Sequence, residues 1–581
     1  MEAAEHVVTS SLLFDYCIYF TRFLLPILAI WILFRCIRSI LRERSEPEVW
    51  AYLDAMDNSG ASFPIGHWEC IVGRSRGCDV VVASPAVSRT HAALIRGENG
   101  LWSIYDLRSK GGVYVNRGLV GDNGAALENG DILTLADTKL MFRALNDAQL
   151  SALSARRAAP GRFVHPGVTF LIVTLFQILL MLQHIITVDP LFTNAVAMGF
   201  SALIVAMWCY YLIMRSIRRT GFEIETLAFF LCSLGISVTA TATPDTMVKQ
   251  IVLMLVGILA FFLLGWWLRS LARTKAMRLP AAALSLGLLF VTLLAGQELY
   301  GAKNWLAIGS FSVQPSEFVK IAYVYVGAAT LDRLFRNKNL FGFIAFSAVC
   351  VGALALMGDF GTALIFFTTF LIISYLRSGN LATAFLAVAA AALACFLVLS
   401  VRPTVAQRFA TWGHIWEDLH GAGYQQTRAL AAAASGGLFG LGAGNGFLHT
   451  IFAANTDLVF CMLCEEFGLI LACCAVLAVV IMAFFTVRTA AQGRSAFYVI
   501  AACAAVTMMM VQLSLNVFGA VDILPFTGVT FPFVSAGGSS LISCWALLAF
   551  IKAGDTRRNA SFVVKTAGGR YARSHRHDGK E

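Results

Sequence analysis

Leu469-Ile-Leu-Ala-Cys-Cys-Ala-Val-Leu-Ala-Val-Val-Ile-Met-Ala-Phe-Phe-Thr-Val487 contains no charged residue, and it is bounded by Glu465-Glu466 before and Arg488 after. About 20 apolar residues in a helix span the hydrocarbon of a bilayer. Runs of this kind recur from Phe163 to Phe550. Of the 581 residues, 58% are hydrophobic and 13% charged, whereas a soluble domain carries about a quarter charged residues. The chain reads as an all-α polytopic membrane protein.

Apolar segments start near residues 11, 163, 191, 223, 247, 278, 316, 341, 359, 381, 458, 495 and 533, about thirteen in all. Alternate loops carry the basic residues: Arg215, Arg218 and Arg219, then Arg269, Arg273, Lys275 and Arg278, then Arg333, Arg336 and Lys338, then Arg377, then Arg488 and Arg494. Cytoplasmic loops are the ones enriched in Lys and Arg, so these loops and the basic tail are expected inside. The N-terminus, with Glu2 and Glu5, is expected outside. Lacking a small-residue cleavage site, the first segment reads as an anchor. The net charge of +10 is explained by these loops and is not a nucleic-acid signal. The 14 cysteines show no paired CxxC spacing, so neither a zinc site nor a disulfide framework is expected.

Between 48 and 145 the texture changes. Short β-prone runs (Val80–Val82, Trp102–Tyr105, Val113–Val115) alternate with Gly and Asn-Gly punctuation such as Asn129-Gly130, the pattern of a small all-β domain. The expected organisation is an anchor over 1–44, the β domain over 48–145 inside the cell, a polar linker over 146–162 and two helices over 163–222. A ten-helix core over 223–555 and a basic tail over 556–581 complete it. The longest stretch between later spans, about 402–457, is expected outside, and long loops on rigid scaffolds tend to carry function.

Ionisable residues within spans are costly and usually functional. Glu317 and Lys320 are three apart, on one helical face where they can pair, either as a structural ion pair or as a pair lining a polar cavity. Asp359, in Gly358-Asp-Phe-Gly-Thr362, can cap the next helix or face the same cavity. Asp457 ends the long outer loop where an apolar helix begins; it can be an N-cap or a catalytic carboxylate. Pro532-Phe-Val-Ser-Ala-Gly-Gly-Ser-Ser540 opens the last span. Its small residues permit close packing, and Ser535 and Ser539 offer hydroxyls for a phosphate.

Taken in order, several strings resemble the shape, elongation, division and sporulation family, the FtsW/RodA-like proteins. They are Gly301-Ala-Lys-Asn-Trp305, Gln314-Pro-Ser-Glu317 with Lys320, Asp359-Phe-Gly-Thr362, Gly421-Ala-Gly-Tyr424, Ser435-Gly-Gly437, Thr456-Asp457 with Glu465-Glu466-x-Gly468, Asn516, and Ser535-x-Gly-Gly-Ser-Ser540. The resemblance covers about 223–555. It implies a peptidoglycan glycosyltransferase that uses lipid II beside a class B penicillin-binding protein, with Asp457 as the catalytic aspartate, Glu317 and Lys320 as the buried cavity pair, and Arg408 as a basic residue of the long loop. Arg428 stands where the family has Gln, Ala453 where it has an acid, and Ala536 where it has Tyr.

The β domain is similar to forkhead-associated (FHA) domains through Gly73-Arg74, Ser88-Arg-Thr-His91, Asp106-Leu-x-Ser109 and Gly112-x-x-Val115-Asn116. That resemblance implies a phosphothreonine site of Arg74, Ser88, Arg89, His91 and Ser109, and so a Thr-phosphorylated protein or Ser/Thr kinase as partner. Gly111 replaces the family's Asn.

Transfer from a pyrophosphate-linked donor needs no acid on the leaving group, so one carboxylate as general base suffices, unlike ordinary glycoside hydrolysis. Arg408 could offset leaving-group charge. A divalent cation could do so too, although no ligand cluster identifies one and no metal residue is assigned. The rival readings are a flippase for the same lipid, which broken intramembrane helices would suit, and a non-catalytic division scaffold.

Overall fold

The computed structural model describes every residue except 1, 43–48, 58–59, 77, 98–99, 147, 150–163, 300–301, 309–310, 332–336, 379–381, 383–384, 391, 393–402, 494, 558–559 and 561–581. The chain opens with a long helix, α1 (Glu2–Arg42), that extends well past the expected apolar core of the segment.

A sandwich of two sheets follows. Its strands are β1 (Ala51–Ala55), β2 (Ser62–Ile65), β3 (Glu69–Gly73), β4 (Val80–Val81), β5 (Ala92–Arg96), β6 (Trp102–Asp106), β7 (Val113–Val115), β8 (Gly118–Leu119), β9 (Ala125–Leu127), β10 (Ile132–Leu135) and β11 (Thr138–Ala144). One sheet has the order β2-β1-β11-β10-β7-β8 and the other β4-β3-β5-β6-β9. The period-2 alternation of side chains along a strand sends Leu53, Val72, Leu94, Ile104, Leu133 and Phe142 into one buried core. Trp102 meets Phe142 edge-on there, with ring centres 5.6 Å apart.

The helices of the bundle are α2 (Pro166–Thr187), α3 (Thr193–Ser216), α4 (Glu223–Ala242), α5 (Met247–Trp267), the short α6 (Leu271–Ala276) and α7 (Arg278–Ala295). They continue with α8 (Pro315–Leu331), α9 (Asn337–Leu356), α10 (Phe360–Ser378), α11 (Pro403–Thr411), α12 (Tyr424–Gly436), the single turn α13 (Ala454–Asp457), α14 (Val459–Ala490), α15 (Ala496–Ala520) and α16 (Gly538–Ala553). Among the described residues nine helices are long and apolar enough to cross a membrane, and two shorter apolar ones lie over Phe360–Leu376 and Gly538–Ala553. The segment expected from 381 lies mostly outside the described residues. The last expected segment begins as helix only at Gly538, because 532–537 is a non-helical approach.

Two features were not expected. A three-stranded sheet, β12 (Gln297–Leu299), β13 (Ala302–Ile308) and β14 (Phe311–Val313), joins α7 to α8. The stretch 402–457 is largely structured, with alanine-rich α12 laid against α14.

α14 is broken at Gly468, whose φ of 86° and ψ of 163° no other residue type adopts readily. The groups freed by the break are taken by the Gly-rich stretch that follows α12. Leu441 N–H donates to the Glu465 carbonyl (2.8 Å) and Gly442 N–H to that of Glu466 (2.9 Å), while Leu469 N–H donates to Gly437 (3.0 Å). Non-helical backbone in a membrane protein survives only where such partners exist. The side chains join in: Glu465 accepts from the N–H groups of Phe447 (2.8 Å) and Leu448 (3.0 Å), and Glu466 from the Thr241 hydroxyl (3.1 Å).

A Cβ on residue 468 would come within contact distance of the Leu438 carbonyl oxygen. Gly468→Ala therefore pays about 1–3 kcal/mol of backbone strain before that collision is counted. The purified protein should unfold at a clearly lower temperature in detergent, and an unchanged midpoint would show that the break can straighten freely.

Candidate active site

The segment carrying Asp457 is not a plain helix start. Ala453 adopts a left-handed backbone (φ 57°), α13 closes at Asp457, and Leu458 (φ −112°, ψ 21°) separates it from α14. Leu458 is the N-cap of α14 and makes no side-chain cap bond, so the Asp457 carboxylate is not spent on capping that helix. The backbone around it is bolted to the chain between α15 and α16. Asn516 Nδ2 donates to the carbonyls of Asp457 (3.0 Å) and Val529 (2.8 Å). The Ser535 hydroxyl donates to the Thr456 carbonyl (2.6 Å) and accepts from Phe531 N–H (2.7 Å). Ala536 N–H donates to the Asn455 carbonyl (2.9 Å).

Gly528, at φ 67°, faces the carboxylate, and a Cβ there would sit 3.1 Å from Asp457 Oδ2. Asp457 is half-buried and precedes the apolar span that starts at Val459. Burial pushes its carboxyl up to about 6, against the pull of the Thr456 hydroxyl and the Arg408 charge.

Behind this segment lies a buried polar chain. Lys320 Nζ on α8 donates to Glu317 Oε1 (2.7 Å) and to Gln512 Oε1 on α15 (3.0 Å). Gln512 Nε2 reaches the Thr530 hydroxyl (2.8 Å), which pairs with the Ser540 hydroxyl (2.8 Å), and Ser543 donates to Glu317 Oε2 (2.6 Å). Glu317 and Lys320 are 3% and 1% exposed, so a pair kept this dry needs every remaining valence filled. Thr530 is next to Val529, which Asn516 holds. The ion pair and Asp457 thus grip one stretch of chain from its two sides.

Asp359 caps α10, accepting from Thr362 N–H (3.1 Å), and its other oxygen takes Asn304 Nδ2 (3.1 Å) and Gln314 Nε2 (3.2 Å). It ties the β13 sheet and the start of α8 to α10. Among the described residues no group of three or more His, Cys, Asp or Glu side chains gathers as a metal site.

In the sandwich, His91 is fully buried and organises the loops at one end. Its Nδ1 accepts from Ser88 N–H (3.0 Å), so Nε2 carries the proton and donates to the Gly112 carbonyl (3.0 Å). Lys110 N–H donates to the Ser88 hydroxyl oxygen (3.0 Å), leaving that hydroxyl's hydrogen to donate elsewhere. Arg74 and Arg89 are exposed beside it, with their backbones interlocked through Arg74 N–H to Ser88 O and Ser75 N–H to Arg89 O (both 3.0 Å). Ser109 N–H is held by Asp106 (2.8 Å), and its buried hydroxyl has no hydrogen-bond partner.

Comparison with known proteins matches the family model for cell cycle proteins of the FtsW/RodA/SpoVE type to residues 217–559, more than half the chain. The chain belongs to the FtsW/RodA/SpoVE family. The FHA domain model matches residues 70–136. "Peptidoglycan glycosyltransferase RodA" of Mycobacterium tuberculosis is 30% identical over 322 residues, 52% of this chain and 69% of that protein. "Probable peptidoglycan glycosyltransferase FtsW" of Tolumonas auensis is 34% identical over 295 residues, 48% and 76% of the two chains. A solved chain from "Structural coordination of polymerization and crosslinking by a peptidoglycan synthase complex" superposes with a TM-score of 0.50 at 24% identity, covering 57% of this chain and 96% of that one. That likeness shows the fold.

Within this FtsW/RodA/SpoVE chain, Glu317 and Lys320 pair as their spacing predicts. Arg408, exposed on α11, is near enough to act on the Asp457 charge. Ser535 acts as a bolt on the Thr456 backbone, and in the first turn of α16 the hydrogen bonds fall on Ser540, the neighbour of Ser539. Gln512, Thr530 and Ser543 escaped the sequence reading, and Ser540 entered it only as the end of a motif, since uncharged polar residues in apolar runs carry no pattern that pairs them. Arg428, the departure from Gln, lies over the Tyr424 ring at 5.5 Å. Gly111 is backed directly by Ala136, so a larger residue there would need the loop to shift.

Removing one member of a buried pair costs about 3–5 kcal/mol, while replacing both by apolar residues can be near neutral. Glu317→Gln should therefore lower the thermal midpoint markedly, and Glu317→Gln with Lys320→Met should recover most of the loss. A single variant as stable as wild type would show that the pair is wet.

Proposed function

We propose that this chain is a peptidoglycan glycosyltransferase, as its RodA and FtsW relatives are named, and that it polymerises lipid II into β-1,4-linked glycan strands. The observation that carries the proposal is the Asp457 carboxylate: the backbone of 455–457 is fixed by Asn516, Ser535 and Ala536, and the carboxylate faces Gly528 beside the Thr456 hydroxyl and within reach of the Arg408 charge. In the proposed step Asp457 accepts the proton of the acceptor sugar's 4-hydroxyl as that oxygen attacks the anomeric carbon of the donor. The C–O bond to the lipid pyrophosphate breaks, and the pyrophosphate leaves with the electron pair. One displacement inverts the centre. Arg408 is positioned to offset the charge gathering on the leaving group. Glu317 and Lys320 act through Gln512 and Thr530 as positioning residues. A class B penicillin-binding protein is the proposed partner for cross-linking.

The proposed orientation puts the FHA domain and the C-terminus in the cytoplasm, supported by the basic loops with Arg215, Arg269, Arg273 and Arg488 and by the contacts of His67 and Glu69 with Gly493 and Lys275 in two of those connections. The N-terminus and Asp457 then face outward, where the glycan is built. For the FHA domain we propose phosphothreonine recognition by Arg74, Ser88, Arg89 and Ser109 on the loops braced by His91, the charge-assisted bonding that phosphate favours.

Asp457→Asn keeps the shape and removes the base. Purified Asp457→Asn protein should fold normally and polymerise lipid II about 100-fold or more slowly. A base must be ionised to act. Wild-type rate should therefore rise with pH through about 6 and level off above it, and the residual rate of the variant should lack this limb. Near wild-type polymerisation by Asp457→Asn would reject the assignment and favour lipid transport.

Arg74→Ala removes a charged hydrogen bond worth about 1.5–3 kcal/mol. Its affinity for a phosphothreonine peptide should fall by tenfold or more with polymerisation unchanged. Equal wild-type binding of phosphorylated and unphosphorylated peptides would refute the recognition.

A further inference from the structure

The turn between β2 and β3, Gly66-His67-Trp68-Glu69, points away from the phosphothreonine loops and toward the helical bundle. His67 Nδ1 donates to the Gly493 carbonyl in the turn between α14 and α15 (2.5 Å). Glu69 Oε1 lies 4.0 Å from Lys275 Nζ on α6. Trp68 packs against the hydrophobic core of the bundle, whereas its neighbour Trp50 packs against the core of the sandwich. The two indoles meet edge-on at 6.2 Å, and the Arg96 guanidinium lies 4.4 Å from the ring centre of Trp50 and 5.9 Å from that of Trp68. An apolar ring, a hydrogen bond and an ion pair on one turn, each meeting a complementary group, are the elements of a specific interface.

We infer that the FHA domain is seated on the polymerase core through this turn, as an intramolecular interface, and does not swing freely on its two linkers. The consequence is positional. β3 runs from Glu69 at the seat to Gly73 at the phosphate loop, a distance of about five residues at ~3.3 Å each. A phosphoprotein captured by Arg74 and Ser88 would therefore be held one strand's length from the α14–α15 turn, on the side opposite the seat. The contact stands on its own geometry and does not depend on how either functional site is read.

The test uses the full chain in detergent or nanodiscs. A zero-length carboxyl–amine coupling reagent should yield the Glu69–Lys275 cross-linked peptide, and Lys275→Arg should abolish it. Hydrogen exchange should show segments 66–70 and 490–493 protected. Trp68→Ala and Glu69→Lys should each speed exchange there by about tenfold, and Glu69→Lys with Lys275→Glu should restore protection in part. β10 and β11 serve as the control, keeping their protection if the sandwich stays folded. Absence of the cross-link, or exchange in 66–70 as fast as in the exposed 121–124 turn and unmoved by Trp68→Ala, would overturn the inference. Phosphopeptide capture is a separate measurement, so its failure would leave the seat untouched.

Discussion

A salt bridge buried away from water depends on further hydrogen bonds to its charged atoms, and the Glu317–Lys320 pair, on one turn of α8, recruits Gln512, Ser543, and through Gln512 the Thr530–Ser540 hydroxyl pair. Three helices, α8, α15 and α16, are thereby fixed to one another at a single depth. The non-helical chain from Gly528 to Gly537 would otherwise be a loose connection between α15 and α16. Anchored at Thr530 by this network and at Val529 by Asn516, it becomes a rigid wall. The wall holds Asn455 and Thr456 by their carbonyls, through Ala536 N–H and the Ser535 hydroxyl, and Asn516 holds the carbonyl of Asp457.

A second constraint comes from the break in α14. A straight helix from Val459 to Ala490 would have no need of the Gly-rich stretch. Once Gly468 turns, the stretch from Gly437 to Gly442 becomes the partner of the broken helix. The N-terminal helices then brace that stretch from the other side: Gln183 accepts from Ala443 N–H (3.4 Å) and donates to Thr21 (2.5 Å), and Phe23 packs on Phe439 at 4.7 Å. α1 and α2 are thus part of the support of this Gly-rich stretch and more than a tether for the FHA domain.

Much of this was legible in the sequence. Apolar run lengths gave the helices, alternation and turn residues gave the sandwich, and the three-residue spacing of Glu317 and Lys320 gave their pairing, because each of these signals is local and periodic. The break at Gly468 was not legible, since an apolar run reads the same whether its glycine is helical or at φ 86°. The partners of the ion pair were not either: Gln512 is 192 positions from Lys320 and Ser543 is 226 from Glu317, and only the packing of helices brings them together. α12 was hidden by its place in a long connection, even though its run of alanines is a strong helix former. Asp457 was legible by motif, but its geometry was not, because the sequence offers no sign that Leu458 takes over as the cap.

Asp359 and Asp457 both sit where an apolar helix begins, and on local pattern they are interchangeable. Asp359 has its oxygens occupied, one by the first turn of α10 and the other by two side-chain amides, and its contribution is spent on structure. At Asp457 the neighbours take main-chain carbonyls instead: Asn516 Nδ2 donates to its own, the Ser535 hydroxyl to that of Thr456 and Ala536 N–H to that of Asn455. Fixing a residue by its backbone holds the carboxylate in place without tying both its oxygens into a cap, and a base needs both a fixed position and capacity to accept a proton. The difference between a cap and a candidate catalyst here lies in whether the neighbours take the carboxylate or the main-chain carbonyls.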